Sequence, residues 1–510
     1  MDITAPSVSY SGLAPVLLVL GAALIGVLVE AFLPRAYRWG VQLAVALLGA
    51  GGALVTAVLL AGREELTVAR AVAVDGPALF MQGTLALLGV LSILLIAERS
   101  ADTGGSAFVA QAAVPAGTAR DRAMRTLDRT QTEVFPLTSF ALTGMMVFVS
   151  ANNLLVMFIA LEVLSLPLYL LAGLARRRRL LSQEAALKYF LLGAFTSAFF
   201  LYGLALLYGY AGTVDLRGIF EQAAGGEKSD TLFVIGLALL IVGLLFKASV
   251  APFHTWTPDV YQGSPTSITA FMAACTKVAA FGAILRVLYV GFGNTAWTWR
   301  PVLYGVAIVT LIVGSVLALT QTDVKRMLAY SSIAHAGFLL TGTIANTPAG
   351  LSSTMFYLLT YGLTTIGAFA VVTLVRDADG EAAHLSQWAG LAKRSPLVAG
   401  VFALFLLALA GIPLTSGFTG KFVVFRAALD SGAAPLVVVA LLASAVAAFF
   451  YVRIIVLMYF SEPAPDGPTV AVPGLLTTIA IAVATAATII LGVVPQAVLD
   501  LANQAARFAG

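Results

Sequence analysis

The chain has 510 residues, 60% of them hydrophobic and only 11% charged, where an ordinary soluble protein has about 25% charged residues; too few charges exist to clothe a water-facing surface. Apolar runs of bilayer-crossing length recur from end to end, so the chain reads as a polytopic membrane protein of the all-α class. The net charge of +4 does not indicate a nucleic-acid partner, because 16 of the 29 Lys and Arg fall in one alternate set of inter-helix loops, which is orientation signal.

Stretches bounded by charge, Pro or Gly define about fourteen transmembrane helices: 11–33, 39–61, 76–97, 134–150, 154–174, 187–211, 231–251, 265–290, 301–320, 328–345, 351–375, 396–429, 435–460 and 469–498. Met1 and Asp2 are followed by no basic stretch, and the first run exceeds a signal-peptide core, so it is expected to remain as a span. Arg35 and Arg38, Arg99 to Arg129, Arg176 to Arg179, Lys325 with Arg326, and Arg376 with Lys393 and Arg394 lie on one side. That side is expected to be cytoplasmic, with both termini outside. The connection from Glu98 to Glu133 is rich in Ala, Gly, Thr and Arg and is expected to be a mobile cytoplasmic loop, open to docking by a partner.

Two spans are interrupted in a matching way. One contains Lys247, Pro252, His254 and Pro258; the other contains Gly411, Pro413, Gly417, Gly420 and Lys421. Proline removes a backbone donor and crowds the preceding turn, and a continuous helix over 396–429 would be about 51 Å long, against a hydrocarbon core of about 30 Å. Each is therefore expected to be two half-helices. Pro252 and Pro413 are 161 residues apart, each in the fourth element of a five-span block. Five is odd, so the second block is inverted in the membrane, and interrupted segments at matching places point to a transport site. The expected organisation is 1–133, three helices and the loop; 134–290 and 301–460, the two inverted five-helix repeats; and 461–510, a C-terminal helix.

A titratable residue deep in a span costs at least about 2.5 to 3.5 kcal/mol and is a functional hypothesis by default. Glu162, Lys247, Lys277 and Lys421 are such residues. A structural Glu162–Lys247 ion pair accounts for only two of them, and packed apolar residues usually serve stability as well. A desolvated lysine beside a carboxylate that moves can bind and release a proton; arginine holds its proton. Lys188, four residues after Glu184, fits either an interfacial salt bridge or a proton path. His254, next to a break, is a relay candidate, whereas His335 fits helix packing equally well and His384 lies in a loop.

Other chemistries lack their residues. Gly420-Lys421 is followed by Phe422 where a phosphate loop needs Ser or Thr. The single Cys275 and three scattered His supply no cluster, zinc or haem spacing.

The string Phe246-Lys247-Ala248-Ser249-Val250-Ala251-Pro252-Phe253-His254-Thr255-Trp256-Thr257-Pro258-Asp259-Val260-Tyr261-Gln262-Gly263, with Leu161-Glu162-Val163, Leu187-Lys188-Tyr189, Thr276-Lys277-Val278 and Gly411-Ile412-Pro413 through Gly420-Lys421-Phe422, resembles the antiporter-like membrane subunits of respiratory complex I and the multisubunit cation/proton antiporters. Lysine at position 421, and a chain that ends soon after the fourteenth span, resemble one branch of this group, distinct from members with an acid at that position or a long lateral helix at the end. The long 98–133 connection departs from that pattern. The resemblance implies that Glu162 and Lys247 are the paired charges of one half-channel, Lys277 a central relay, Lys421 the residue facing the other half-channel, and Lys188 and His254 accessory positions. It implies a proton translocase subunit of the bacterial inner membrane, driven by redox chemistry elsewhere. This chain would hold no cofactor; NADH, FMN, iron–sulfur clusters and quinone would belong to partner subunits, and the partners would be other membrane-arm subunits and lipid. The rival readings are a sodium/proton antiporter subunit and a structural scaffold.

Overall fold

The computed structural model describes residues 8–100, 105–109, 111–125, 130–225, 230–377, 380–463 and 467–509. Each expected span has a helical counterpart. In chain order these are α1 (Ala14–Phe32), α2 (Arg35–Leu59), α3 (Gly76–Ile96), α4 (Val134–Ser150), α5 (Leu154–Ala172), α6 (Arg179–Ala211), α7 (Asp230–Lys247), α8 (Trp256–Gly263), α9 (Thr266–Gly291), α10 (Ala296–Leu319), α11 (Val324–Ile344), α12 (Pro348–Leu374), α13 (Pro396–Ala410), α14 (Ser416–Asp430), α15 (Ala434–Phe460) and α16 (Leu475–Val493). Among the described residues eleven helices are long and apolar enough to cross a membrane. The other three crossings are the short α4 and the broken pairs α7/α8 and α13/α14. Side chains of Asp75, Asn153, Asp323 and Thr347 accept amides at the starts of α3, α5, α11 and α12, closing donors that a helix N-terminus leaves open.

The loops carry small strands that an all-helical reading omits. β1 (Glu65–Thr67) pairs antiparallel with β2 (Val72–Val74), and β3 (Val375–Asp377) pairs with both β4 (Gly380–Glu381) and β5 (Thr469–Val470). The last span accordingly starts at Leu475 rather than 469, and after Val493 the chain turns into a separate short helix, α17 (Gln496–Gln504). The C-terminal region is thus two helices, not one.

The helices sort by polarity. α9 is buried along its whole span, α11 and α12 nearly so, while α1, α2, α6 and α16 leave most of their surface outside. The least apolar span, α11, carries Ser331, Ser332, His335, Thr341 and Thr343, and such residues are tolerated at membrane depth only inside protein. Close packing repeats between the two five-span blocks. A Cβ on Gly144 of α4 would stand 2.4 Å from the Leu164 amide nitrogen of α5, and one on Gly314 of α10 the same distance from the Ala334 nitrogen of α11. Glycine thus lets the first two helices of each block touch backbone to backbone.

Both interruptions are real breaks. α7 ends at Lys247, Ser249 takes a left-handed conformation (φ +62°), and α8 resumes at Trp256, whose indole Nε1 donates to the Phe246 carbonyl at 3.0 Å. α13 ends at Ala410 on a left-handed Gly411 (φ +86°), and α14 resumes at Ser416. In each case a side chain beyond the break closes carbonyls that the first half-helix exposes.

The structure departs from the sequence reading in two further places. The 98–133 connection is strapped down over much of its described length: Val109 N donates to Leu174 O and Arg176 N to Ala107 O, both at 2.9 Å. Arg179, almost fully buried, donates to the carbonyls of Gln111, Ala112 and Val114 and lies 3.5 Å from Asp121. Part of the basic run is therefore structural rather than solvated. The interior also holds an ion pair the sequence reading omitted: Arg286 of α9 grips Asp75 with two hydrogen bonds of 3.0 and 2.6 Å, both side chains 0% exposed. Arg286 also donates to Val149 O at 3.0 Å, and Asp75 accepts from Ala509 N at 3.0 Å, so the pair joins α3, α4, α9 and the C-terminal segment.

Removing one partner of a buried pair strands the other charge, so Arg286→Ala and Asp75→Ala are each expected to lower stability by about 3 to 5 kcal/mol; thermal unfolding of the detergent-purified protein checks this. Gly411→Ala forces an L side chain into the left-handed region at about 1 to 2 kcal/mol and brings a Cβ to 3.0 Å from Lys421 Cδ. A lower unfolding midpoint than for Gly432→Ala, also left-handed but facing open space, is expected.

Candidate functional site: a line of buried lysines

Lys247 is the last residue of α7, placed at the break and 3% exposed. Its ammonium donates to Ser165 Oγ of α5 at 2.8 Å and to Tyr189 OH of α6 at 3.3 Å. It lies over the rings of Tyr189 and Tyr169 at 5.2 and 5.8 Å, where ring quadrupoles favour a cation. Ser165 in turn donates to Leu161 O. Glu162, one turn away on α5, forms no ion pair among the described residues and keeps Oε1 buried without a hydrogen-bond partner. The paired charges expected from the sequence are therefore neighbours whose direct contact is replaced by the serine and tyrosine hydroxyls around the lysine.

Lys277 follows a wide turn, Met272–Thr276, the first of two within α9; such turns are often found inside α-helices at functional sites. Its ammonium is 1% exposed and donates to the Ser332 carbonyl of α11 at 2.7 Å, with the Tyr361 ring at 5.9 Å.

Lys421 belongs to α14 and reaches back across the second break. Its Nζ donates to Leu409 O at 3.0 Å, Ala410 O at 2.9 Å and Ser444 Oγ at 2.9 Å, 4.6 Å from the Phe338 ring centroid. The ammonium sits where α13 exposes its final carbonyls, the negative end of the helix dipole.

His335 stands among these groups, although its sequence context admitted helix packing equally. It is 2% exposed and packs against Tyr361 and Phe338, the rings that the Lys277 and Lys421 ammonium groups also face. Nδ1 is 2.7 Å from Tyr357 OH and Nε2 is 3.5 Å from Tyr451 OH, which contacts Ser331 Oγ. The ring packs on Tyr361 with centroids 4.8 Å apart. The available clue was the polar stripe Ser331, Ser332, His335 in a span otherwise apolar enough to be a membrane helix.

The two accessory residues lie apart from this line. Lys188 is bound by Glu184 at 2.6 Å and Asp259 at 2.7 Å, with its side chain 41% exposed. Asp259, unremarked in the sequence reading, also accepts from Arg326, so the cluster links α6, α8 and α11 at the basic end of the bundle. His254 lies in the α7–α8 break against the Tyr330 ring, its Nδ1 buried without a partner, and has no hydrogen bond to any of the lysines. Among the described residues no three His, Cys, Asp or Glu side chains gather as a metal site.

The chain matches the family described as NADH:quinone oxidoreductase/Mrp antiporter, TM, across residues 151–447. It is 64% identical to NADH-quinone oxidoreductase subunit N of Saccharopolyspora erythraea over 504 residues, covering 98% of each chain. It is 55% identical to the subunit N of Mycobacterium tuberculosis, covering 99% of each. A chain of respiratory complex I from Thermus thermophilus superposes with a TM-score of 0.77 at 34% identity, covering 96% of this chain and 99% of that one. A chain of the Mrp complex from Dietzia superposes at 0.81 with 23% identity, covering 97% of each, a likeness of fold. The chain belongs to the NADH:quinone oxidoreductase/Mrp antiporter transmembrane family and, within it, to the subunit N branch of NADH-quinone oxidoreductase.

Proposed function

We propose that the chain is a proton-translocating membrane-arm subunit of NADH:quinone oxidoreductase, carrying protons along Lys247, Lys277, His335 and Lys421 while redox chemistry proceeds in other subunits. The observation that carries this is that three ammonium groups, each at most 4% exposed, rest on carbonyl and hydroxyl oxygens rather than on carboxylates. Such contacts hold a cation without committing it to a fixed ion pair. A neutral lysine keeps a lone pair that an adjacent proton donor can fill, so each site can both receive and pass a proton.

Residues 134–290 and 301–460 are taken as the two half-channels, between an N-terminal segment of 1–133 and a C-terminal segment of 461–510. The matched Gly144/Leu164 and Gly314/Ala334 contacts, both 170 residues apart, support this division. At the same offset Ser165, which holds Lys247, corresponds to His335. The basic loops face the cytoplasm of a bacterial cell, both termini face outward, and the membrane is the inner one.

Glu162 couples the relay to its surroundings. α5 exposes Leu155, Ile159, Leu166 and Leu170 along one stripe, and Glu162 lies three residues after Ile159 and four before Leu166, on that same face. A carboxylate bordering an outward apolar stripe suits burial against a neighbouring membrane subunit. Movement of its charge toward or away from Lys247 changes the lysine's hold on its proton. At an effective dielectric of about 20 two charges about 4 Å apart interact by about 4 kcal/mol, more than the roughly 2.3 kcal/mol needed to move one proton against 100 mV. Lys188 and His254 are assigned to proton or charge supply at the margins of the first half-channel.

In the assembled complex, Lys277→Ala, Lys421→Ala and the charge-retaining Lys277→Arg are expected to lower coupled NADH oxidation by about 10²-fold, the usual worth of a placed proton-transfer group. Protons moved per NADH in proteoliposomes is the measurement. An assembled Lys247→Ala or Glu162→Gln variant pumping at the wild-type ratio would falsify the relay. Sodium-dependent exchange insensitive to NADH would favour an antiporter, and variants that alter assembly but not pumping per electron would favour a scaffold.

A further inference from the structure

α3 is walled in around most of its circumference. α2, α4, α9, α12 and α16 pack on it, and neighbours in that series touch one another: α2 on α4, α4 on α9, α9 on α12, and α12 on α16. No comparable packing joins α16 to α2 among the described residues, so the ring is open there. From Pro77 to Ala97 the only positions of α3 left partly exposed are Phe80, Gly83, Leu87 and Val90, three and four residues apart and hence on one face of the helix. They form the floor of a groove. On the α2 side Trp39, Leu43 and Leu47, also partly buried and apolar, follow one another at i, i+4 and i+8.

At the basic end of the bundle this groove is topped by donors. Arg99 lies just beyond α3, its guanidinium 5.2 Å from the centroid of the Trp39 ring. Arg35 opens α2 four residues before Trp39, which makes the two side chains surface neighbours with Cβ atoms about 5 to 6 Å apart. The Trp39 Nε1 is buried without a hydrogen-bond partner. Among the described residues the guanidinium groups of Arg35 and Arg99 have no ion pair or hydrogen bond, whereas Arg38 is taken by Glu30 at 3.1 Å and by the Leu33 carbonyl at 2.7 Å. The adjoining carboxylates are already engaged: Glu30 by Arg38 and Gln42, and Glu98 by the amides of Arg99, Ser100 and Gly474 and by the Ser100 hydroxyl. Phe32, Tyr37, Val472 and Leu475 stand exposed at this level, as side chains do at a bilayer interface. Val90 and Leu87 precede Arg99 by nine and twelve residues, about 14 and 18 Å deeper along the axis, which is the depth of one leaflet in a hydrocarbon core of about 30 Å.

We propose that the groove over α3 is a site for one anionic phospholipid of the leaflet at the basic end, its phosphate held by Arg35, Arg99 and the Trp39 indole N–H and an acyl chain lying on Val90 and Leu87 between α2 and α16. Guanidinium and indole offer donors and no acceptor, and a phosphodiester offers acceptors that pair with arginine. The vertical profile selects a lipid over a protein helix: free donors occur only at headgroup depth, and everything below them is apolar. A net negative headgroup matches two arginines whose neighbouring carboxylates are already satisfied. The lipid completes the ring around α3, which itself packs on the central α9 and α12, and so ties the N-terminal helices to α16. The site is independent of the lysine relay.

The test titrates phosphatidylglycerol, phosphatidylcholine with the same acyl chains, and glycerol phosphate into the delipidated full-length chain in detergent, reading the unfolding midpoint and the lipid retained in native mass spectrometry. Phosphatidylglycerol alone is expected to raise the midpoint and to stay bound as a single lipid. Arg35→Gln combined with Arg99→Gln is expected to weaken it about tenfold, and Arg35→Lys with Arg99→Lys to recover part of that loss. Val90→Trp, which fills the tail slot and leaves the arginines in place, should weaken it as well, while Arg217→Gln, exposed at the other end of the bundle, should not. Equal effects of phosphatidylcholine make the lipid a general solvent of the surface, and equal effects of glycerol phosphate reduce the site to an anion pocket; either result overturns the proposal, as does wild-type affinity in both the double arginine variant and Val90→Trp. If the double variant fails to fold, phosphatidylglycerol brominated in its acyl chain decides the matter on the wild-type chain: quenching of tryptophan emission should exceed that in Trp39→Phe, and equal quenching overturns the site. In the assembled complex, benzoylphenylalanine in place of Leu87 should crosslink to lipid on illumination. Capture of a neighbouring polypeptide there assigns the groove to a protein partner and overturns the lipid.

Discussion

The three ammonium groups inside the bundle impose the constraint on which the remaining architecture depends. A charge at membrane depth has to find oxygen, and an unbroken apolar helix offers little, because its carbonyls already accept intrahelical bonds and only a second lone pair remains, as at Ser332 O beside Lys277. Breaking α13 at Gly411 releases the carbonyls of Leu409 and Ala410, and Lys421 takes both. The break and the charge therefore require one another. The Ser332 carbonyl of α11 at Lys277 and the hydroxyls of Ser165 and Tyr189 at Lys247 answer the same need by other means.

Placement of the helices follows from this need. The more polar spans α9, α11 and α12 lie at the centre, where protein atoms surround them, and the more apolar α1, α2 and α16 lie outside. Small residues bring the central helices close enough for the polar groups to meet, as where Gly314 touches the backbone at Ala334, one residue before His335. The Asp75–Arg286 pair belongs to a different class. Its charges satisfy each other completely and bind four segments together, so it is a rigid joint beside a file of lysines whose contacts remain exchangeable.

Span positions and the two breaks were legible in the sequence because each depends on local chemistry: apolar run length, and Pro or Gly within it. Lys247, Lys277 and Lys421 were legible because charge in an apolar run is costly wherever the run packs. Arg286 escaped notice because it sits near one end of its span, and its partner Asp75 lies just outside another; only packing brings them together. The connection between Glu98 and Glu133 read as loose chain because its partners, the amides and guanidinium groups around Arg176 and Arg179, come from a distant segment.

By itself the sequence determined the membrane class, the fourteen crossings, the sites of helix interruption and the identity of the deep charges, since each follows from the transfer energy of a short stretch of residues between water and lipid. The tertiary structure decided what each charge touches. It set Ser165 and Tyr189 around Lys247 where a carboxylate had been expected, packed His335 on the Tyr361 and Phe338 rings that Lys277 and Lys421 also face, and moved Lys188 into a surface cluster with Asp259. Those outcomes turn on contacts a few ångströms long between residues tens or hundreds of positions apart, which composition and periodicity do not encode.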